Sequence, residues 1–354
     1  MTLQILPKII TLAGLIIGGG VLGWLLLAGV HWADSAPAAG SGLLFIHHSV
    51  GDHWLNHSLR PALLAKSYIA TVNDSFYGTD LAPDAGRPDS LAPLPGDYTD
   101  MSAWIFWFND YLNSLKSYQN PGGLAALISP IERKITPRFP WLSEYLAPLK
   151  GEPNYSGRNR IVMFKSCFPN SNLGPDESGP GDPFSTGRTI ANNQAIFRPA
   201  GGPTPSYTRD GYSYQALEVI FAQNPDTLFI VVTSPPLHFG PTDATSDEAG
   251  QRIRQFNQWL KTDWLAGYRA AHPDLNNVAV FDYFDMLAYP ADHPEHPNRL
   301  KAEYGGNSGD SHPNAAANAK ATERFATAPD NFLDQAWNAF QGQPEAQAAG
   351  IAEH

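Results

Sequence analysis

The chain has 354 residues, with 23 Lys+Arg against 34 Asp+Glu and a formal net charge of −11, which excludes a basic nucleic-acid binder on bulk electrostatics. Hydrophobic residues make up 43% and charged residues only 16%, with 31 Gly and 31 Pro, the profile of a loop-rich globular protein rather than a disordered one. The single cysteine, Cys167, excludes an intramolecular disulfide and a Cys-rich zinc module.

From Ile9 to Val30 the sequence carries no charge, and as a helix at about 1.5 Å per residue this run spans a hydrocarbon layer of about 30 Å. Lys8 precedes it and no Lys or Arg follows until Arg60, which predicts a cytoplasmic amino terminus with the bulk of the protein outside the cytoplasm. Ala36, Pro37, Ala38 and Ala39 offer small residues for cleavage and so for secretion. The apolar run is longer than the usual signal-peptide core, which favours an uncleaved anchor. Residues 1–30 are therefore expected to be a transmembrane anchor or signal segment, and 31–42 a linker.

Short apolar runs then recur, each followed by turn residues: Leu43 to Ile46, Tyr68 to Val72, Ile161 to Phe164, Leu228 to Val232 and Val278 to Phe281. They have the length of buried strands. Between them lie helical patterns, the clearest carried by Ile253, Phe256, Leu260, Trp264 and Tyr268. Alternation of strands with helices predicts an α/β domain over 43–340, with ligands bound outside the carboxyl ends of the parallel strands. Residues 79–157 are too long for a simple crossover and read as an insertion over the sheet that shapes substrate access without supplying a catalytic group. Its helical run from Trp104 to Tyr118 carries Trp104, Phe106, Trp107, Phe108 and Tyr111, more readily a helix buried by its aromatic face than a sugar-binding cleft. The loop from Pro169 to Tyr212 has the composition of a lid, and residues 341–354 that of a flexible tail.

Three strand ends carry chemistry. LLFIHHSVGDHWLNH stops an apolar run at Ser49, where a strand-to-helix turn exposes a hydroxyl beside backbone N–H groups; a plain N-cap is the simpler alternative for this segment alone. GDSHPNAAANAKATERF places Asp310 and His312 before a helix, so that the carboxylate can set the tautomer of a histidine serving as base for a distant serine. A helix-capping Asp beside a surface His explains that segment equally well. TVNDSFYG and FKSCFPNSN offer a glycine N–H and an asparagine amide, the donors an acyl-transfer oxyanion needs.

Together these segments resemble the SGNH hydrolases, the GDSL esterase/lipase superfamily, over about residues 43 to 327. TSPP after the fourth strand and VAVFDYFDML at the fifth are similar as well. The resemblance implies a three-layer α/β/α flavodoxin-like sandwich with a mostly parallel five-stranded sheet. It implies Ser49 as nucleophile and His312 as base with Asp310 orienting it. The oxyanion hole would comprise Ser49, Gly78 and Asn170, with Asn172 the next choice. The sequence departs from the family in having His47-His48-Ser49 for Gly-Asp-Ser, and in placing its Asp two residues before the His where three are usual. Asp282, at the end of the fifth strand, is the reserve carboxylate. KSCFPNSN also lacks the usual Gly-x-Asn-Asp.

His53 and His57 share a face if helical, but with His47 and His48 they find no second cluster to complete a ligand set, so neither a metal nor a cofactor is expected. Cys167 lacks an adjacent base and reads as a buried strand-end thiol. The expected function is an extracytoplasmic serine esterase acting on a small-molecule or carbohydrate ester, with a membrane as partner through the N-terminal helix and no nucleic acid. An O-acyltransferase using the same acyl-enzyme is the alternative within the chemistry. A noncatalytic carbohydrate-binding protein is the alternative outside it.

Overall fold

The structure is a computed structural model that describes residues 40–89, 100–120, 154–176, 178–198, 206–240 and 245–342. The expected membrane segment, most of the linker, the middle of the insertion and the tail from 343 onward lie outside the described residues. Among the described residues no helix is long and apolar enough to cross a membrane.

Among the described residues seven strands form: β1 (Ser41–His47), β2 (Ile69–Phe76), β3 (Asn159–Lys165), β4 (Ser206–Arg209), β5 (Tyr212–Gln215), β6 (Leu228–Val232) and β7 (Val278–Phe281). Five of them, the five predicted runs, make a parallel sheet in the order β2-β1-β3-β6-β7. Strand order therefore reverses between β1 and β3, and the crevice outside their carboxyl ends is where such sheets bind ligands.

Alternation along each strand builds two cores. Leu43, Phe45, Ile161, Met163 and Ile230 face one layer of helices, and Leu44, Ile46, Val162, Phe164 and Val231 face the other. Strands covered on both faces need apolar residues at every position, which is why they stand out as unbroken runs.

The helices are α1 (Ser49–Trp54), α2 (Arg60–Leu64), α3 (Ala103–Asp110), α4 (Leu112–Ser117), α5 (Ile190–Phe197) and α6 (Leu217–Gln223). They continue with α7 (Asp247–Trp259), α8 (Leu265–Ala271), α9 (Tyr283–Leu287), α10 (Ala315–Thr322) and α11 (Phe332–Phe340). A π-helical turn, Leu55–Leu59, joins α1 to α2 without a break. The predicted stripe of Ile253, Phe256, Leu260, Trp264 and Tyr268 runs along α7, a π-helical turn and α8, and all five side chains are buried.

The aromatic run in the insertion breaks at Tyr111 into α3 and α4, and Trp104, Phe106, Trp107, Phe108 and Tyr111 are all buried in the core. They line no cleft. Within the segment expected to form a lid, α5 buries Ile196 and Phe197, and the β4–β5 hairpin at its end buries Tyr214 against Phe106 and Phe184. Its turn, Asp210-Gly211, has both residues at positive φ (52° and 81°), the conformation that Asp-Gly supplies in a two-residue hairpin.

The helical run from Ser49 docks on α10. Trp54 Nε1 donates to Thr322 Oγ1 at 3.0 Å, Ser58 Oγ donates to the Asn318 carbonyl at 3.2 Å, and the Ser58 and Thr322 hydroxyls lie 2.6 Å apart. Ala317 and Ala321, one turn apart on α10, are wholly buried against this side. Trp54 also packs on Phe281, Tyr283 and Phe325. Trp54→Ala is expected to lower unfolding stability by about 3–5 kcal/mol, whereas Leu64→Ala, at a side chain 52% exposed, stays within about 0.5 kcal/mol. Urea denaturation measures both.

Candidate active site

At the end of β1 the chain passes directly into α1. His47 is wholly buried; its Nδ1 lies 3.1 Å from the His48 carbonyl and its Nε2 3.4 Å from Asp74, which Arg60 also holds at 2.6 Å. Gly51 permits this tight transition, because a Cβ there would stand 2.4 Å from His47 Cβ. His48 is the N-cap of α1 and makes no side-chain cap, so first-turn N–H groups next to Ser49 keep their capacity to hold an anion.

Ser49 Oγ lies 2.8 Å from His312 Nε2, 3.2 Å from His48 Nδ1 and 3.3 Å from Cys167 Sγ. His312 Nδ1 is 3.1 Å from Asp310 Oδ1. A carboxylate only accepts, so Nδ1 of His312 carries the proton and Nε2 presents its lone pair to the Ser49 hydroxyl. One hydroxyl donates once and accepts twice, which matches its three neighbours. The His312 ring packs against His53, with centroids 5.0 Å apart, and against the edge-on ring of Phe168 at 4.9 Å.

Asp310 Oδ1 accepts from both the His312 backbone N–H at 2.7 Å and its ring at 3.1 Å. The two-residue spacing thus brings one oxygen to two donors of the same residue. The loop is pinned from elsewhere: His238 N–H donates to Ser311 Oγ at 3.1 Å, and Ser308 Oγ donates to the Asp310 carbonyl at 2.8 Å. Asn314 caps α10 immediately after, accepting from the Ala317 N–H. Asp282, the reserve carboxylate, is engaged differently: it pairs with Lys261 and caps α9 through the Asp285 N–H.

Of the proposed oxyanion donors, Gly78 follows β2 in a turn where Tyr77 and Gly78 both have positive φ (53° and 77°), a pairing that glycine makes affordable. The Tyr77 N–H donates to the His47 carbonyl at 2.7 Å, tying this turn to the strand end that precedes Ser49. Asn170 lies in the one-turn 3-10 helix Phe168–Ser171 and is buried, and its Oδ1 accepts from the Met101 N–H at 3.0 Å. That bond fixes the amide with its donor end turned away from Met101. Asn172, the next choice, is exposed.

Burial, opposed by Asp310, holds the His312 imidazole below its ordinary pKa, with His53 adding to the depression. Asp310 is raised by partial burial, but the hydrogen bonds and charge of His312 outweigh this and keep it below the usual carboxylate value. Beneath the site, burial lowers the Lys165 amine to about 7, partly opposed by Cys167. Lys165 Nζ donates to the Ser166 carbonyl and lies 4.8 Å above the Tyr283 ring. The sequence reading weighed His53 only as a metal ligand and gave Phe168 and Lys165 no place beside His312, because no spacing signals their convergence. Among the described residues no three His, Cys, Asp or Glu side chains gather as a metal-ligand set.

In an NMR titration His312 is expected to protonate below about 6.5, the ordinary histidine value. Asp310→Asn removes a charge that favours the imidazolium, so it moves that midpoint lower still; an upward movement contradicts the assigned pair.

No family model matches the chain, and no curated protein matches it. Among solved structures it is similar to one described as a "putative acylhydrolase" from Bacteroides fragilis, at 13% identity and a TM-score of 0.35 over 84% of this chain and 88% of that one. It is also similar to one described as a "putative platelet activating factor" from Streptococcus pneumonia, at 13% identity and a TM-score of 0.34 over 83% of each chain. Likenesses this distant leave the family open.

Proposed function

We propose that the protein is an SGNH-type serine esterase that hydrolyses a carboxylic ester through an acyl-enzyme on Ser49. The observation that carries this reading is the unbroken path from Ser49 Oγ to His312 Nε2 at 2.8 Å and from His312 Nδ1 to Asp310 at 3.1 Å. His312 takes the proton of Ser49 as its oxygen bonds to the ester carbonyl carbon, and Asp310 stabilises the imidazolium that forms. The oxyanion is met by the N–H of Ser49, the N–H of Gly78 and the side chain of Asn170, donors set before the reaction. His312 then protonates the departing alcohol, and a water deprotonated by the same ring releases the acid from Ser49. The depressed imidazole pKa supports this cycle, since the neutral base persists to lower pH.

An acyltransferase would use the same acyl-enzyme, resolved by an acceptor hydroxyl in place of water. Acceptor-dependent product separates the two. The uncharged run from Ile9 to Val30 behind Lys8 supports a membrane anchor with the domain outside the cytoplasm. Fractionation is expected to recover the full-length protein with membranes, and a cytosolic full-length protein overturns that part.

A fluorophosphonate probe is expected to label Ser49. Ser49→Ala and His312→Ala each lower kcat on p-nitrophenyl acetate by about 10⁴ or more, and the double variant is little worse, because the pair acts as a unit. Asp310→Asn also costs about 10⁴, Asn170→Ala about 10² to 10³, and Asp282→Asn changes little. A fully active Ser49→Ala protein defeats the reading.

A further inference from the structure

Beside His312 a cleft of about 530 Å³ opens between the helical run from Ser49 and the start of α10, within the roughly 300–1,000 Å³ of small-molecule sites. Asp52, His53, Asn56 and His57 line one wall, and Asn314 and Asn318 the other, while only Pro313 and Ala315 are apolar. Some of these groups are spent: Asn56 donates to Asp52, and Asn314 caps α10. Others are not. Asn318 is 3% exposed, yet its Oδ1 has no hydrogen-bond partner among the described residues, and buried polar atoms in a native fold rarely stay unpaired. The rings of His53 and His57 face the same cleft one turn apart.

The position is chemically informative. In ester cleavage the departing oxygen takes its proton from His312 Nε2, so the alcohol half of the ester must lie on the histidine side of the scissile bond. Phe168 packs edge-on against that ring, and His53, also beside it, lines the cleft. Too little apolar surface lines the cleft to hold a fatty alcohol. The Asp52 carboxylate disfavours an anionic one.

We propose that this cleft is the subsite for the alcohol half of the ester, and that the alcohol is a neutral polyhydroxylated one, a sugar or polyol. Asn318 and His57 supply hydrogen bonds to its hydroxyls, and Pro313 offers a face for its carbon skeleton. This rests on the esterase reading of Ser49 and His312.

The full-length protein tests it on three acetate esters, those of methyl glucoside, glycerol and hexanol. The two polyol esters are expected to exceed hexyl acetate in kcat/KM by about tenfold or more. His57→Leu and Asn318→Leu should each reduce that preference about tenfold through KM, as the loss of a hydrogen bond to substrate does. His57 is exposed, so its variant keeps the test sound if Asn318→Leu fails to fold. Hexyl acetate turned over as well as the polyol esters, or an unchanged preference in His57→Leu, overturns the subsite and leaves the esterase standing. Absence of all turnover and of fluorophosphonate labelling overturns the esterase itself. In that case ligand-observed NMR of methyl glucoside, with binding lost in His57→Leu, still decides whether the cleft takes a polyol.

Discussion

The separation of Ser49 and His312, 263 residues apart in sequence, depends on how closely the helical run beginning at Ser49 lies against α10, which begins three residues after His312. Both helices start at the site, so a shift of one against the other moves the hydroxyl relative to the imidazole. Small side chains set the approach: Ala317 and Ala321 leave room for the bulk of Trp54, and Ser58 and Thr322 lock the register by hydrogen bonds. A close-packed interface of this kind does not deform gradually. It therefore holds a 2.8 Å contact with far more precision than two surface loops would.

Around that contact, hydrogen-bonding capacity is used without redundancy. Ser49 has one proton to give and gives it towards His312, while His48 and Cys167 occupy its accepting positions. Asp310 spends one oxygen on two donors of His312, fixing both ring and backbone. The insertion enters here as well. It brings no matched nucleophile and base among the described residues, but its Met101 N–H sets the orientation of the Asn170 amide.

Beneath the site lies an unusual group of polar side chains. Lys165 is wholly buried at the end of β3, bonded to the Ser166 carbonyl and stacked over Tyr283, whose hydroxyl is itself buried and unpartnered among the described residues. A lysine in such surroundings is poised between charged and neutral forms near neutral pH, because burial penalises its charge and no carboxylate among the described residues compensates. Its charge also bears on the His312 imidazole, which it makes harder to protonate.

The sequence by itself determined the five sheet strands, because a strand buried on both faces must be apolar throughout, and the Ile253 to Tyr268 stripe, because one helical face packs on the sheet. It also marked Ser49 and His312, which the fold brings to 2.8 Å of each other, since a strand-to-helix turn and a helix entry leave short polar marks. The β4–β5 hairpin was not read from the sequence, which took its surroundings for a lid, although its Asp210-Gly211 turn is a hairpin signal. Tertiary structure alone shows that Asp310 bonds to the His312 ring and Asp282 to Lys261. Both follow plausible motifs, but the direction of the Asp310 carboxylate comes from a loop pinned by His238, and Asp282 is captured by Lys261. The same holds for Asn170 over Asn172 as the buried amide, and for the alignment of His53 and His57 into a cleft with Asn318. Those placements depend on where a side chain points once other segments pack against it, and no local pattern encodes a direction imposed from elsewhere in the chain.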